Sequence, residues 1–493
     1  MKKLLIAGFS LLLSVAVQAQ QNRLLEASFW QGRPDVEAVK AEIAKGSDPS
    51  AFNSGHYDPA SLAINGSAPT ATILYLLSLR GNPVDKITHD NRIYLHWATS
   101  RGNAEVVAYL LSKGAKIDAP DNRGTLPLFF GSTQNTKVFD TYIAHGVDLK
   151  KMLNADGANL LLTSIANDKD LSLTNYFISK GLDINSTDIS GNNAFSYAAR
   201  AGDVNLLKKL QEKGVKPNAH AILMAVQAGR VGINQLEFLQ YLESLNIKPT
   251  AISRNGENAL HSLVRRGGQA EMINYFISKG VDVNKTDENG NTVFMSAAVS
   301  NRDTVTYALL LPKVKNINQA NSQGLTALTM AVRSNSSDVV RYLISKGADA
   351  KVLDKKGNNL AYYLLEKASV QNGQRSEGSE FQKKFTLLQK QGLDLTIPQG
   401  DGSTLYHIAV AKNDLSLLKR LQGLGIDINA KNKEGITALH KAALVSKDDV
   451  ILKYLLEAGA KKDIITGFEE TAFDLASENE TLSKNKVSVN FLK

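Results

Sequence analysis

Amphipathic segments alternate with short polar stretches along most of the chain. From Ala104 to Lys113, apolar residues stand at 106, 107, 110 and 111, a spacing that predicts a helix with one buried stripe. Gly114 follows, and glycine ends a helix at low cost because it tolerates positive φ. A polar stretch with an Asp-x-x-Gly turn then predicts a hairpin-like finger, and a second short helix begins near Leu126.

This pattern repeats with a step of about 33 residues. Four copies begin at Val106, Leu173, Met272 and Val339 and read VVAYLLSKG, LTNYFISKG, MINYFISKG and VVRYLISKG. The residue that closes this helix marks thirteen units: Gly46, Gly81, Gly114, Gly146, Gly181, Gly214, Asn246, Gly280, a diverged unit near Val314, Gly347, Gly392, Gly425 and Gly459. A unit this small cannot bury its own apolar face, so we expect neighbouring units to stack around a continuous core.

Two recurring motifs give the pattern a family resemblance. One reads Asn258-Ala-Leu-His261 and Thr437-Ala-Leu-His440, and the other reads Gly181-Leu-Asp-Ile-Asn185 and Gly280-Val-Asp-Val-Asn284. In both, the sequence resembles the ankyrin-repeat family. The resemblance implies an all-α solenoid of about 13 helix-turn-helix units with short β-hairpin-like fingers. It also implies protein binding through the concave face of the inner helices and the hairpin tips.

Three places depart from the repeat. The unit from Val215 to Gly229 lacks most of its finger, and a polar insertion of about 12 residues lies near 369–380, between the two helices of its unit. From about Thr466 we expect one capping helix and a polar tail, because terminal repeats diverge. The insertion is interpreted as a tolerated loop, with a functional loop as the alternative.

The N-terminus predicts export. Lys2 and Lys3 precede an apolar run that ends at Val17-Gln18-Ala19, which is typical of a cleavable signal peptide. An uncleaved anchor is the alternative, but the run is shorter than the ~20 residues that span a membrane. We therefore expect a signal peptide at 1–19 and one continuous repeat domain at 20–493, periplasmic or secreted, with no membrane span after cleavage.

The composition of the chain excludes several kinds of functional site. The chain has no cysteine, which excludes disulfides, cysteine-ligated metals and a cysteine nucleophile. Its net charge of +9 falls to about +7 without the signal peptide, which is weak for nucleic-acid binding. No phosphate-cradling loop or nucleophile elbow occurs in the sequence. We therefore expect no enzyme activity and no cofactor.

The histidines and turn acids fit structural roles. In the family, the histidine found here at His96, His261, His407 and His440 bonds the backbone of the adjacent finger. The other four histidines are scattered without metal-ligand spacing. Asp121, Asp188, Asp287, Asn321, Asp354 and Asn432 start turns and lack the alternating acids of a calcium loop. We predict no metal site.

One pattern goes beyond the scaffold. In the family, the last turn of the inner helix points into the concave groove, and those positions here hold six basic and no acidic residues: Arg101, Arg200, Arg265, Arg266, Arg333 and Lys412. The unit with the insertion, with Glu366 and Lys367, is left out because the sequence does not fix its register. A basic groove would steer and bind an acidic protein partner. The alternative is that these side chains are merely solvated.

The predicted function is therefore a protein–protein interaction scaffold in the bacterial envelope or outside the cell. One alternative is an envelope enzyme or ligand-binding protein with a site at an irregular repeat, near His220 or the insertion. Another is a secreted effector, which the sequence does not separate from the first.

Overall fold

The structure is a computed structural model that describes residues 22–131, 135–227, 235–366 and 380–493. The predicted signal peptide and nearly all of the predicted insertion lie outside these ranges. Two compact units divide the chain at 221/222, and each is described by itself. The continuity of residues 20–493 as one repeat domain stays a prediction.

The first unit is a stack of short helices joined by turns. Its α-helices are α1 (Ala27–Gln31), α2 (Val36–Ala44), α3 (Pro59–Asn65), α4 (Thr70–Ser78), α5 (Tyr94–Ser100), α6 (Ala104–Ser112), α7 (Lys137–Ala144), α8 (Leu160–Ser164), α9 (Ser172–Ser179), α10 (Ala194–Ala199) and α11 (Val204–Glu212). Its 3-10 turns are Arg23–Leu25, His89–Asn91, Pro127–Phe130, Leu149–Lys151 and Ile165–Asn167.

The second unit repeats the same helix pairs. Its α-helices are α12 (Ala221–Val226), α13 (Leu236–Ser244), α14 (Ala259–Leu263), α15 (Ala270–Ser278), α16 (Val293–Ser300), α17 (Thr304–Leu310), α18 (Ala327–Ser334), α19 (Ser337–Ser345), α20 (Leu360–Glu366), α21 (Glu380–Lys390), α22 (Leu405–Ala411), α23 (Leu415–Leu421), α24 (Ala438–Val445), α25 (Val450–Glu457), α26 (Ala472–Glu478) and α27 (Glu480–Lys484). Its 3-10 turns are Leu311–Lys313 and Asn490–Leu492.

The predicted repeat boundaries are confirmed by the backbone. All eleven predicted glycines have φ between 75° and 100°, and Asn246 replaces glycine at φ 62°. At Gly114 a β-carbon would meet no atom within 4 Å, so the requirement is conformational rather than steric. The diverged unit ends differently, because the 3-10 turn Leu311–Lys313 leads to Val314 at φ −73°.

Helices of the same kind stack on one another within each unit. The first helix after a finger, called the inner helix, packs on the inner helix of the next repeat, as in α16, α18, α20, α22, α24 and α26. The second, or outer, helix packs on the next outer helix, as α15 does on α17. Small residues such as Ala298 and Ala331 are fully buried on the inner helices. Of the four apolar positions predicted to be buried in α6, Val106, Val107 and Leu110 are fully buried, whereas Leu111 is half-buried.

The fingers are closed five-residue turns in which the first N–H donates to the fifth carbonyl. They span 53–57, 88–92, 121–125, 154–158, 188–192, 253–257, 287–291, 321–325, 354–358, 399–403, 432–436 and 466–470. In six of them the second N–H donates to the third carbonyl of the preceding finger, at 2.8 to 2.9 Å: Asn122 to Asp90, Ile189 to Asp156, Glu288 to Asn255, Ser322 to Asn289, Lys355 to Gln323 and Lys433 to Asp401. This backbone hydrogen bond therefore aligns successive fingers whatever side chains they carry.

Three local expectations can be compared with the structure. The truncated unit has no closed turn between Gly214 and α12, as predicted. The inner helix expected near Leu126 is only a 3-10 turn, Pro127–Phe130. The C-terminus carries two short helices and a final 3-10 turn rather than one helix, because Leu482 and Leu492 are also buried.

Candidate partner-binding groove

The six predicted basic residues share one structural position, the C-terminal end of an inner helix. Arg333 lies in the last turn of α18, while Arg101, Arg200 and Lys412 are the residues that cap α5, α10 and α22. Arg265 and Arg266 follow Val264, the residue that caps α14. Arg101 and Arg200 belong to the first unit and the other four to the second. A positive charge at this end also complements the helix dipole, so the position alone does not establish binding.

The partners of these side chains differ. Arg265 forms an ion pair with Glu257 at 3.2 Å and donates from Nε to the His261 carbonyl. The Arg101 guanidinium reaches Asn65 Oδ1 only at 3.5 Å. Arg200 and Arg266 are exposed and have no ion pair within the described ranges. The last two are therefore the most available to a ligand.

Glu366 places an acid at the same level of the groove. It is the last residue of α20, the inner helix that precedes the insertion, so the structure fixes the register that the sequence left open. Its carboxylate pairs with Arg333 through contacts of 2.8 and 3.0 Å, and its carbonyl accepts from Lys412 Nζ. The groove of the second unit is therefore of mixed charge here.

Two neighbouring cavities occupy this part of the groove. The first, of about 380 Å³, lies between the fingers 321–325 and 354–358 and the helix ends at Arg333 and Glu366. The second, of about 340 Å³, lies between the fingers 399–403 and 432–436 and helices α20, α22 and α24. Tyr362 and Glu366 line both cavities. These two residues therefore form the wall between them.

Finger residues contribute exposed charges to both cavities. Lys355 and Lys356 line the first cavity, and Asp401 and Glu434 line the second. All four residues are exposed. Sequence reasoning missed these charges because it considered only the helical positions. Their fixed place, one or two residues after the first residue of the turn, is the signal that could have found them.

At the corner between the two helices of a repeat, the carbonyls at the end of the inner helix can be held by an asparagine of the next repeat, as at α14, α16 and α24. Asn301 Nδ2 donates to the Val264 carbonyl at 2.8 Å, and Asn335 Nδ2 donates to Ala298 and Asn301 carbonyls at 3.0 and 2.8 Å. Asn479 Nδ2 donates to the Ala443 carbonyl at 2.9 Å. These asparagines satisfy carbonyls that the helix end leaves open.

At the end of α18, next to Arg333, charged residues take the place of the asparagine. Lys384 Nζ, on helix α21, donates to the Val332 carbonyl at 3.0 Å and to Ala331 at 3.4 Å. One turn earlier, Glu380 accepts the Ser337 N–H at 2.5 Å and so caps α19. Lys384 is buried, and this burial lowers its pKa to about 8 despite the opposing effect of Glu380. Lys384, which lies shortly after the insertion, therefore replaces the asparagine that holds the other helix ends.

The recurring histidines are structural in this protein. In each, the ring Nδ1 accepts the N–H of the residue three positions earlier at 3.1 to 3.2 Å, so the neutral ring carries its proton on Nε2. Nε2 of His96 and His407 bonds the Thr125 and Ile436 carbonyls of the next finger, as predicted. In His261 and His440, Nε2 is buried without a protein hydrogen bond. Burial lowers the pKa of all four imidazoles, which keeps them neutral near pH 7.

The turn acids also act as predicted. The Asp121 carboxylate accepts the N–H groups of Arg123 and Thr125, both at 2.9 Å, and Asp188, Asp287 and Asp354 repeat this arrangement. In the part of the chain that the structure describes, no group of three or more His, Asp or Glu side chains is arranged to hold a metal ion. In the same part, no helix has the length and apolar character needed to cross a membrane.

The fingers also expose apolar side chains. The residue directly before the turn is a large apolar residue, 37% to 57% exposed, in six fingers: Phe52, Ile87, Leu153, Ile252, Leu353 and Ile465. Phe468, inside the last finger, is 86% exposed. Such side chains could supply contact area at the finger tips.

Sequence comparisons decide the family. A profile described as ankyrin repeats (3 copies) matches residues 222–316, 260–354 and 406–492. A second, ankyrin repeats (many copies), matches 162–211, and a single ankyrin repeat matches 90–122. Together they cover more than half of the chain. The chain belongs to the ankyrin-repeat family.

Other ankyrin-repeat proteins are similar over parts of their length. The nuclear factor NF-kappa-B p105 subunit of Gallus gallus is 33% identical over 39% of this chain and 19% of its own. Alpha-latroinsectotoxin-Lt1a of Latrodectus tredecimguttatus is 24% identical over 62% of this chain and 23% of its own. The phosphocholine transferase AnkX of Legionella pneumophila is 23% identical over 64% of this chain and 33% of its own. The chain thus spans a third or less of the length of these relatives.

A solved human ASB11 ankyrin repeat domain aligns with a TM-score of 0.38 and 19% identity, covering 46% of this chain and 96% of that domain. Ankyrin repeats generally mediate protein–protein interaction and typically form binding scaffolds without catalytic activity. Both statements concern the ankyrin-repeat family as a whole.

Proposed function

We propose that this ankyrin-repeat protein is an interaction scaffold that binds a protein partner in the groove between its inner helices and its fingers. The observation that carries the proposal is the pair of adjoining cavities on either side of Tyr362 and Glu366. They are lined by exposed charged side chains that the fold does not need for its core. The proposal assigns no catalytic step to the chain.

The basic residues at the inner-helix ends of each unit are further candidates for partner contacts, Arg101 and Arg200 in the first unit and the other four in the second. We assign partner contacts to Arg101, Arg200, Arg265, Arg266, Arg333 and Lys412. Arg266 and Arg200 carry most of the attraction, because they are exposed and hold no ion pair within the described ranges. Arg333 contributes less, since Glu366 already neutralises it. Arginine pairs with carboxylates through two parallel hydrogen bonds, so acidic groups on the partner fit best.

We also propose that the protein works in the bacterial envelope or outside the cell. The support is the sequence of residues 1–19, with two lysines, an apolar run and the Val17-Gln18-Ala19 cleavage pattern. Mass spectrometry of the protein purified from its source cells should then show a chain that begins at Gln20. A mature chain that retains Met1 would contradict this proposal.

Charge reversal next to α14 tests the binding function. In Arg265→Glu with Arg266→Glu, capture of the partner from envelope extract should be lost, and capture by the wild type should weaken with added salt. The melting temperature should change little, because exposed ion pairs contribute about 1 kcal/mol or less.

The matched control is Lys208→Glu with Lys213→Glu, which makes the same change of charge at two exposed residues, one in the outer helix α11 and one that caps it. It should capture the same partners as the wild type. If the arginine variant captured them as well, the groove would not be the binding surface.

A further inference from the structure

Four outer helices end with the same two side chains, a tyrosine and the lysine four residues after it. These Tyr–Lys pairs are Tyr109 with Lys113, Tyr176 with Lys180, Tyr275 with Lys279, and Tyr342 with Lys346. In each pair the lysine ammonium lies over the tyrosine ring, 5.1 to 5.8 Å from its centre. Each pair therefore presents a hydroxyl and an ammonium group side by side.

Two of the pairs are filled by a carboxylate from the preceding outer helix. Asp140 on α7 accepts from the Tyr176 hydroxyl and the Lys180 ammonium, both at 2.8 Å. The pair on α15 holds Glu243 of α13 in the same way, at 2.8 Å from the hydroxyl and 2.7 Å from the ammonium. These contacts, chiefly the one to lysine, hold the pKa of both carboxyls below their usual values. A Tyr–Lys pair is thus an arrangement that binds a carboxylate.

The other two pairs have no such acid in front of them. The two filling acids stand six and three residues before the residue that closes their own outer helix. Before the pair on α6, these positions hold Tyr75 and Ser78, and before the pair on α19 they hold Ala308 and Leu311. The pairs on α6 and α19 are therefore open.

The open pairs keep their donors available. No hydrogen bond or ion pair within the described ranges reaches the side chains of Tyr109, Lys113, Tyr342 or Lys346. Both lysines are exposed and both tyrosines are half-buried. Burial raises the pKa of Tyr342, so its hydroxyl stays protonated and can donate. The ring of Tyr307 on α17 lies 6.0 Å from that of Tyr342, which places the open pair against the helix that lacks the acid.

The local charge also separates open from filled pairs. The compared segments are the two successive outer-helix ends at each pair. At each open pair they contain three basic residues and one acid: 75–85 with 109–116, and 308–318 with 342–349. At the filled pairs they contain two lysines and two or three acids: 140–150 with 176–183, and 240–250 with 275–282. The open pairs thus carry the positive charge that the filled pairs neutralise internally.

We propose that the two open Tyr–Lys pairs bind carboxylate side chains of an acidic protein partner on the outer-helix face. The partner's Asp or Glu takes the place that Asp140 and Glu243 hold at the filled pairs. Each pair is a separate site, one in each compact unit. The inference goes beyond the proposed function, because the outer helices are not part of the groove between inner helices and fingers.

An acidic peptide tests the assignment. A fluorescent peptide with three adjacent acidic residues in a glycine- and serine-rich background is titrated with the full chain at low salt, and fluorescence anisotropy gives its Kd. The same peptide with Gln and Asn in place of the acids should bind about tenfold more weakly. If the wild type failed to bind the acidic peptide, the inference would be overturned.

Ser78→Glu with Leu311→Glu supplies the missing acids from the chain itself. The new carboxylates stand three residues before the closing position, as Glu243 does, so they should fill both pairs and raise the Kd of the acidic peptide about tenfold. Ser78→Gln with Leu311→Gln should bind like the wild type. Ala71→Glu with Val305→Glu adds the same charge at exposed positions near the other ends of α4 and α17, and is the matched control that should also leave Kd unchanged.

Tyr109→Phe with Tyr342→Phe tests the geometry, because it removes the two hydroxyls and keeps every charge. The Kd should rise about threefold. Tyr241→Phe, on an outer helix without a lysine four residues later, is the control and should have no effect. An unchanged Kd in the double tyrosine variant, or in the variant with two added glutamates, would contradict the inference.

The groove arginines distinguish this surface from the proposed one. Arg265→Glu with Arg266→Glu should change the Kd of the acidic peptide by less than about twofold. A rise in Kd in this variant alone would place the peptide in the groove and overturn the inference. Failure of the proposed function is measured separately, by partner capture with the same arginine variant, and involves none of the outer-helix residues changed here.

Discussion

In the second unit, the carbonyls at the C-terminal ends of two inner helices, α16 and α18, accept hydrogen bonds from different kinds of side chain. At the end of α16, the amide of Asn335 reaches the carbonyls of Ala298 and Asn301 and also the Tyr307 hydroxyl. At the end of α18, where the insertion interrupts the next repeat, the ammonium of Lys384 reaches the carbonyls of Ala331 and Val332. Both side chains are buried.

The difference lies in the cost of burying the donor. An amide is neutral, so its burial is largely offset once its hydrogen bonds are made. A buried ammonium also loses the solvation of its charge, which lowers the pKa of Lys384 to about 8. The hydrogen bonds of Asn335 should therefore stabilise the fold more than those of Lys384. The contribution of Lys384 to stability should also depend on pH.

The largest effect is expected at the regular corner. Asn335→Ala removes the amide donor of the buried Ala298 carbonyl, leaves the Asn301 carbonyl with only the Tyr307 hydroxyl as a side-chain donor, and removes a contact to Tyr307. These losses should lower the free energy of unfolding by about 3 kcal/mol. Urea denaturation followed by circular dichroism measures this loss. Asn289→Ala, at an exposed finger position, is the control and should change stability by less than about 0.5 kcal/mol. If Asn335→Ala and Asn289→Ala destabilised the protein equally, the hydrogen bonds of Asn335 would not be the cause of the loss.

An intermediate effect is expected at the finger that follows the insertion. Gly400 packs so closely on the finger 354–358 that a β-carbon would overlap the Lys356 carbonyl. Gly400→Ala should therefore destabilise the protein by about 2 kcal/mol. Gly467 holds the same position in the last finger, where a β-carbon would lie 3.9 Å from the Glu434 carbonyl. Gly467→Ala should thus be nearly neutral in the same denaturation experiment, and a similar loss in both variants would show that close packing at Gly400 is not the cause.

The smallest effect is expected at Lys384 and depends on pH. Its folded pKa of about 8 lies below the ordinary value of 10.5, so between these values the unfolded chain holds a proton that the folded chain has released. Stability from this group therefore rises with pH across that window. Between pH 8.5 and 9.5, the wild type should gain about 1 kcal/mol relative to Lys384→Gln, which keeps a donor without a charge.

Paired urea titrations of the wild type and Lys384→Gln at both pH values cancel the contribution of all other titrating groups. A constant difference between the two proteins would mean that Lys384 keeps its proton throughout, and that the two corners do not differ electrostatically.

The sequence predicts this fold well where one residue type performs one task at a fixed step. The glycines with positive φ and the turn acids recur at the repeat spacing and are found as expected, and the expected bond of the recurring histidine to the next finger is found for His96 and His407. The corner at Lys384 could not be predicted, because the insertion shifts the register and a different residue type takes over the asparagine's hydrogen bonds.

The residues of the groove were predicted less completely than the fold. Arg265, Arg266 and Arg333 could be placed at helix ends from the period alone. Glu366 was left out because the insertion that follows it made the register of its unit uncertain, although it stands nine residues after Gly357, as Arg333 does after Gly324. The charges of Lys355 and Glu434 were missed because their significance depends on the cavity that they face, which periodicity does not describe.

The backbone bonding of the fingers has a consequence for how such a surface can evolve. Lys355 and Lys433 each donate their backbone N–H to the finger before, whereas the third carbonyl that accepts belongs to Gln323 in one case and to Asp401 in the other. Because side chains take no part in this bond, a mutation at a finger tip can reverse a charge without a compensating change elsewhere. Ligand preference can therefore drift quickly between descendants of one gene while the architecture is inherited unchanged.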